Sequence, residues 1–188
     1  MEHMIVMLQK GDKLEENGEY IILSGYLECS MSNQLLRFLR EGERAILDDT
    51  FLPKSLVYRA CGIVRLLKLE SNATNMLIDE RYQGFEKEII TLMIERMEML
   101  TMQKKERLVQ TLLKLGKEIG IIEGENCRIP KVWTQIELAN HINCTREYLL
   151  SQKRILKEEG VVLESHQWIL LNWAKWNGKV GVYEGTSQ

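Results

Sequence analysis

The sequence predicts an α+β chain in three parts: a small antiparallel, jelly-roll-like β-barrel over residues 1–83, a long helix over 84–103, and a winged helix-turn-helix over 104–188. Three observations carry this reading. Short apolar runs separated by turn residues fill the amino-terminal third. A helical texture free of Gly and Pro follows Gly84 as far as Gly116. Two capped helices joined by a tight turn lie between Lys131 and Val162.

The runs at 5–8, 20–27, 35–39, 55–60 and 63–69 have the length of strands. Gly11-Asp12, Asn17-Gly18, Ser32-Asn33 and Gly42 fall between or near them, as hairpin and turn chemistry requires. A short helix is expected at 72–79. Beyond Gly84, Ile90, Met93, Met97 and Leu100 recur at spacings of three and four, which is a coiled-coil seam, and Glu86, Glu88, Glu95, Arg96 and Glu98 lie off it. Such a seam needs a partner, either the chain's own barrel or a second copy of the helix. Closed two-fold dimers are the commonest oligomers, so a homodimer through these four residues is the expectation. The helix is expected to break near Gln103, after which Leu108, Leu112, Leu113 and Leu115 form a second apolar face.

Residues 131–162 read KVWTQIELANHINCTREYLLSQKRILKEEGVV. Thr134 and Glu137 form a capping box, and Leu138, Ala139 and Ile142 give the helix behind it one apolar face. Asn143 and Cys144 break the pattern. Thr145 then N-caps a second helix that carries Arg146 and Glu147 in its first turn and stops at Gly160. The pair Val161-Val162 and a run at 168–171 supply the wing. Small DNA readers place the start of such a helix in the major groove, and its outward positions here are Arg146, Glu147, Leu150, Ser151 and Arg154. Arginine can make two hydrogen bonds to guanine, and glutamate can accept one from cytosine. Thr134, Gln135, Thr145, Lys153 and Arg154 suit phosphate contacts, which position a protein without reading sequence. For any one of these residues the plain alternative is a solvated helix face; the order of the whole motif favours the DNA-contacting role.

In this order of elements the chain resembles the Crp/Fnr family of bacterial transcription regulators. Residues 104–120, KKERLVQTLLKLGKEIG, look like the helix that joins that family's dimerisation helix to its DNA-binding domain, and residues 134–162 match its helix-turn-helix without a gap. Arg146 and Glu147 match its Arg-Glu reading pair. The amino-terminal third is similar in outline to its cyclic-nucleotide-binding barrel. The resemblance implies a homodimer on double-stranded DNA with inverted-repeat symmetry, and RNA polymerase as a further partner. Several positions depart from the pattern. Ser151 stands where many members carry a second base-reading arginine, and Gln152 and Lys153 occupy places that are usually apolar. Cyclic-nucleotide-binding members hold ribose and phosphate with a Gly-Glu pair and an Arg-Ser pair, because a buried phosphodiester needs a guanidinium and N–H groups. Here the corresponding stretch is AILDDTFLPKSLVYRA. Residues 45–49 lack glycine and add negative charge, Lys54-Ser55 replaces Arg-Ser, and the barrel is shorter by about two strands. Control by cAMP is therefore not expected, and the effector is left unnamed. The start of the chain also lacks the clustered cysteines that hold an iron-sulfur cluster in some relatives.

Composition sets the outer bounds. With 25 Lys and Arg against 27 Asp and Glu, a formal net charge of −2 argues against a bulk nucleic-acid binder, so any DNA contact must be local. Apolar runs such as 89–94 meet charge well before bilayer length, and no signal-peptide pattern follows Met1, so a cytoplasmic protein without a membrane partner is expected. Cys29, Cys61, Cys127 and Cys144 are widely spaced, which indicates free thiols, with a redox role left open. His3, His141 and His166 make no metal set, and Asp48-Asp49 reads as a turn. No nucleophile-base pair or phosphate loop points to an enzyme, and neither cofactor nor metal is expected. The expected function is a homodimeric, sequence-specific DNA-binding regulator. The alternative is a dimeric sensor or interaction module whose helix-turn-helix no longer reads DNA.

Overall fold

The computed structural model describes residues 4–48, 55–69, 75–163, 165 and 167–178, and the chain divides into two compact units, Met1–Thr101 and Met102–Gln188. The first holds β1 (Ile5–Leu8), β2 (Gly18–Ser24), β3 (Leu27–Met31), β4 (Gln34–Leu39), β5 (Arg44–Leu47), β6 (Leu56–Ala60), β7 (Val64–Leu69) and α1 (Asn75–Thr101). Its strands form two antiparallel sheets, ordered β1-β7-β2-β5 and β4-β3-β6. Both contribute to one apolar core, in which Tyr20, Ile22, Leu27, Tyr58, Val64 and Leu66 are wholly buried. In β2 the period-two alternation puts Tyr20 and Ile22 on the inner face, and the small Ala45 of β5 is the register partner of Tyr20.

Turn chemistry decides where these strands begin and end. Ser32 and Asn33 both take positive φ, 49° and 62°, between the paired residues Met31 and Gln34. This is the primed hairpin geometry whose twist matches the strands it joins. The apolar run 20–27, which reads as one strand, is the end of β2 and the start of β3. The chain turns at Gly25 (φ 90°), where a Cβ would stand 2.5 Å from the Ile63 carbonyl oxygen, so a glycine is required. The sequence offers no clear strand signal for β5, a four-residue element defined by its pairing with β2.

Helix α1 runs unbroken through Gly84, where the sequence suggested a change from a short helix to a long one. Residues 72–74 of that short helix lie outside the described residues. A glycine in a helix costs about 1 kcal/mol relative to alanine, too little to end a helix anchored by packing further along. Ile89 and Met99 are buried, Leu92 is partly so, and the buried Arg96 donates to Gln34 Oε1 at 2.8 and 3.1 Å. These four, spaced by three and four, form the face that meets the barrel. Ile90, Met93, Met97 and Leu100 lie one residue further round and are 39–66% exposed. The apolar seam is therefore not buried against the barrel of its own chain.

The second unit contains α2 (Lys104–Ile119), β8 (Ile121–Glu123), β9 (Asn126–Ile129), α3 (Gln135–His141), α4 (Arg146–Glu158), β10 (Trp168–Leu170) and α5 (Trp173–Gly178). The helical pattern breaks at Met102-Gln103, and the Gln103 N–H donates to Glu106 Oε2 at 3.1 Å as α2 begins. Leu108, Leu112, Leu113 and Leu115 are all buried, as their spacing predicts. The sheet is ordered β10-β9-β8, with Val162 bridged to Leu170. The chain from Trp173 onward reads as loosely ordered by its glycines, yet through Gly178 it is α5. Its Trp173 ring lies over Gly116, where a Cβ would come within 2.5 Å of the ring. Trp176 is buried, and its indole N–H donates to the Val161 carbonyl at 3.3 Å. Gly181 and Gly185 lie outside the described residues. Among the described residues no helix is long and apolar enough to cross a membrane.

One buried cation ties this unit together. Arg107 of α2 donates from Nε to the Ile142 carbonyl at 2.8 Å and from its terminal nitrogens to the carbonyls of Met102, at 3.1 Å, and Asn143, at 3.5 Å. Ile142 caps α3, so the guanidinium serves carbonyls that a helix end leaves without partners. Replacing it with the similarly long Arg107→Met is expected to lower stability by about 2–3 kcal/mol, read as a drop in the urea midpoint at unchanged slope.

Candidate functional site

The second unit presents the helix pair α3–α4. At the head of α3 the Thr134 hydroxyl accepts from the Glu137 N–H at 3.2 Å, and the Glu137 carboxylate accepts from the Thr134 N–H at 2.5 Å. Both halves of the capping box are thus made. Leu138, Ala139 and Ile142 are buried beneath it. Asn143 takes a left-handed φ of 54°, a conformation in which asparagine is enriched, and turns the chain toward α4. Thr145 then caps α4, its hydroxyl accepting from the Tyr148 N–H at 3.2 Å. Gly160 follows with φ 67° and ends the helix.

Leu149 and Leu156 anchor α4 in the core. On the opposite side Arg146, Glu147, Leu150, Ser151 and Arg154 are all exposed and, at spacings of one and four, share one face. Arg146 Nε reaches back to Gln135 Oε1 at 3.4 Å, which brings these two contact candidates together across the turn. Thr134 and Thr145 are both exposed at their helix starts. Arg154 is highly exposed and lies 3.8 Å from Glu158 one turn on, a loose surface pair. Lys153 differs from its expected role as an outward phosphate contact. It is half-buried, Nζ donates to the Ser165 carbonyl at 2.8 Å and to that of Gln167 at 3.5 Å, and it lies 4.7 Å from the centre of the Trp168 ring. Gln152 beside it is half-buried, with Oε1 buried and lacking a hydrogen-bond partner. Lys153 thus faces the segment leading into β10, at a position where the resemblance leads one to expect an apolar residue.

The sequence marks strand-like runs at Val161-Val162 and 168–171 but not the hairpin β8–β9, which pairs with β10 in one sheet. The available signal was Gly124 between the short runs Ile121–Glu123 and Asn126–Ile129, taken up here with φ 62°. Nothing local marks Arg107 either, since its partners are 35 and 36 residues away.

In the first unit a cavity of about 370 Å³ is lined in part by Cys29, Tyr58 and Ile89 and rimmed by charge. Arg37 pairs with Glu43 at 2.6 Å and also with Glu88, and Arg44 pairs with Glu19 at 2.9 Å. Burial, with a smaller contribution from the Cys29 thiol, pushes the Tyr58 phenol well above its usual range. None of the four cysteines is in a disulfide. Cys29 and Cys127 are buried and Cys61 and Cys144 partly so, and burial pushes the Cys127 thiol up to about 11. The Cys144 thiol is also raised by burial, against opposing pulls from Lys104 and Arg107. His141 packs against Trp133 with ring centres 4.9 Å apart. His3, His166, Asp49 and Lys54 lie outside the described residues, among which no group of three His, Cys, Asp or Glu side chains is placed to hold a metal.

No protein-family model matches this chain, and no curated protein matches it. Solved structures do. A transcriptional regulator of the CRP/FNR family from Thermus thermophilus superposes with a TM-score of 0.68 at 21% identity, covering 93% of this chain and 97% of that one. FixK2 from Bradyrhizobium japonicum gives a TM-score of 0.73 at 12% identity, with 95% and 97% covered. The c-di-GMP responsive global regulator CLP of Xanthomonas campestris gives 0.67 at 15% identity, with 90% and 93% covered. Over nearly its whole length the chain has the fold of these transcription regulators.

Proposed function

We propose that residues 102–188 form a winged helix-turn-helix that reads double-stranded DNA, and that two copies of the chain, joined through the outward seam of α1, bind an inverted repeat. The observation that carries this reading is the face of α4. Arg146, Glu147, Leu150, Ser151 and Arg154 are exposed together, on a helix whose start is capped by Thr145 and whose opposite side is locked into the core. A guanidinium and a carboxylate in the first turn of such a helix are suited to guanine and cytosine edges in the major groove. Gln135 and Thr134 at the start of α3, with Thr145, supply polar groups suited to phosphate contacts. With two subunits, the half-site centres lie roughly 34 Å apart. The fold shared with known transcription regulators supports the assignment.

The barrel's role is regulatory or structural without cAMP. Its cavity already matches each arginine with a carboxylate, Arg37 with Glu43 and Glu88, and Arg44 with Glu19. A cyclic phosphodiester would have to displace one of these carboxylates and would face the others, a like-charge cost that the departures at 45–55 do nothing to offset. Calorimetry is expected to give no saturable heat with cAMP at micromolar concentrations.

Selection from a random duplex pool, followed by footprinting at fixed salt, tests DNA recognition. Arg146→Ala is expected to flatten the preference at one base pair in each half-site, a loss of about 1–3 kcal/mol of discrimination. Arg154→Ala should weaken all sequences alike and lower the salt dependence by about one charge per subunit. An unchanged selected sequence with Arg146→Ala would remove α4 from the groove, and failure to enrich any duplex would leave the chain an interaction module.

The dimer is tested separately. Met97 and Leu100 are exposed apolar side chains on the seam, so Met97→Glu with Leu100→Glu should halve the mass seen by light scattering while leaving the barrel's circular dichroism unchanged. A dimer that persists in this variant places the interface elsewhere.

A further inference from the structure

The second unit holds a cavity that borders the proposed base-reading face and shares Arg146 with it. Its volume is about 400 Å³, within the range of small-ligand sites. Two tryptophans, Trp133 and Trp168, line it over a floor that includes the buried Leu115, Ile129 and Leu138. Lys131 and Arg146 stand at it from different segments, one from the loop before α3 and the other from the first turn of α4. Lys153, held by the carbonyls of Ser165 and Gln167, sets its ammonium against the Trp168 ring. None of the described residues lining the cavity carries a carboxylate, although acidic residues outnumber basic ones in the chain by 27 to 25. The nearby Glu137 is committed to the Thr134 N–H.

Aromatic walls with an apolar floor favour a flat apolar body, and cations without acids favour negative charge. We infer that this cavity binds a small aromatic carboxylate, its ring lying between Trp133 and Trp168 and its carboxylate meeting Lys131 and Arg146. The arginine fork matches a carboxylate with two parallel hydrogen bonds. Inorganic phosphate has the charge but no body to fill the apolar part, and an aromatic amine has the body with the wrong charge. One consequence rests on the DNA reading above. A carboxylate that holds Arg146 toward the cavity withdraws it from a base edge, so ligand and DNA compete.

Calorimetry on the full chain separates these chemistries with three probes: 2-naphthoate, 2-naphthylmethylamine and inorganic phosphate. The site requires saturable binding of 2-naphthoate at one per chain, with the other two at least about tenfold weaker. Chemical-shift changes should centre on the indole N–H groups of Trp133 and Trp168 rather than those of Trp173 and Trp176. Lys131 is exposed, so Lys131→Glu should leave the melting temperature unchanged while weakening 2-naphthoate by at least about fivefold. No saturable heat up to millimolar 2-naphthoate, equal binding of the amine or of phosphate, or an unaffected Lys131→Glu variant would each overturn the site. In a second arm, 2-naphthoate should raise the apparent Kd of the selected duplex, and an unchanged Kd at saturating 2-naphthoate would overturn the competition alone. If no duplex binds at all, the DNA reading fails, and the calorimetry still decides the site.

Discussion

The second unit depends on one buried guanidinium. Helix α3 has only seven residues, too few to be stable alone, and it ends against a turn whose Asn143 is left-handed. Its closing carbonyls have no helical partners, and Arg107 arrives from α2 to accept that role. Arginine suits the position because its planar donors reach several carbonyls at once. The same contact fixes where α4 begins, since only Cys144 separates Asn143 from the Thr145 cap. The orientation of Arg146 and Glu147 is therefore set partly by a residue that touches neither of them.

Helix α1 shows a similar economy in the first unit. One stripe, with Ile89, Leu92, Arg96 and Met99, meets the barrel, and the neighbouring stripe of Ile90, Met93, Met97 and Leu100 is left to solvent. Both have the same spacing, so amphipathic periodicity alone does not say which of them packs inward. Arg96 decides the matter by its bonds to Gln34, which place a charged residue on the inner stripe with its guanidinium satisfied. An apolar seam that the barrel does not cover is the physical basis of the dimer proposal.

Residues 152 and 153 show how polar side chains occupy half-buried positions. The four-carbon stem of Lys153 fills space as an aliphatic side chain would, while its ammonium is delivered to backbone carbonyls of the segment leading into β10. That arrangement links α4 to the strand side of the unit and accounts for a lysine that does not face outward. Gln152 gains no such compensation, and its buried Oε1 is a local cost of the kind that buried unpaired acceptors carry. On the other side of α4, Leu149 and Leu156 are buried in the core.

What the sequence by itself determined is the chemistry that acts between near neighbours. The Ser32-Asn33 turn, the Thr134 and Thr145 caps, the break before α2 and the exposed face of α4 each follow from residues within a few positions of one another. What only the tertiary structure decided is the outcome of contacts between distant residues. Gly25 divides one apolar run into two strands because the Ile63 carbonyl comes within 2.5 Å of where its Cβ would be, and β5 exists through pairing with β2. Residues 173–178 are ordered because Trp173 settles over Gly116, and α3 closes on an arginine 35 residues earlier in the chain. Caps and turns are specified by local backbone geometry, whereas burial, register and the satisfaction of a helix end depend on which distant groups the fold brings within reach.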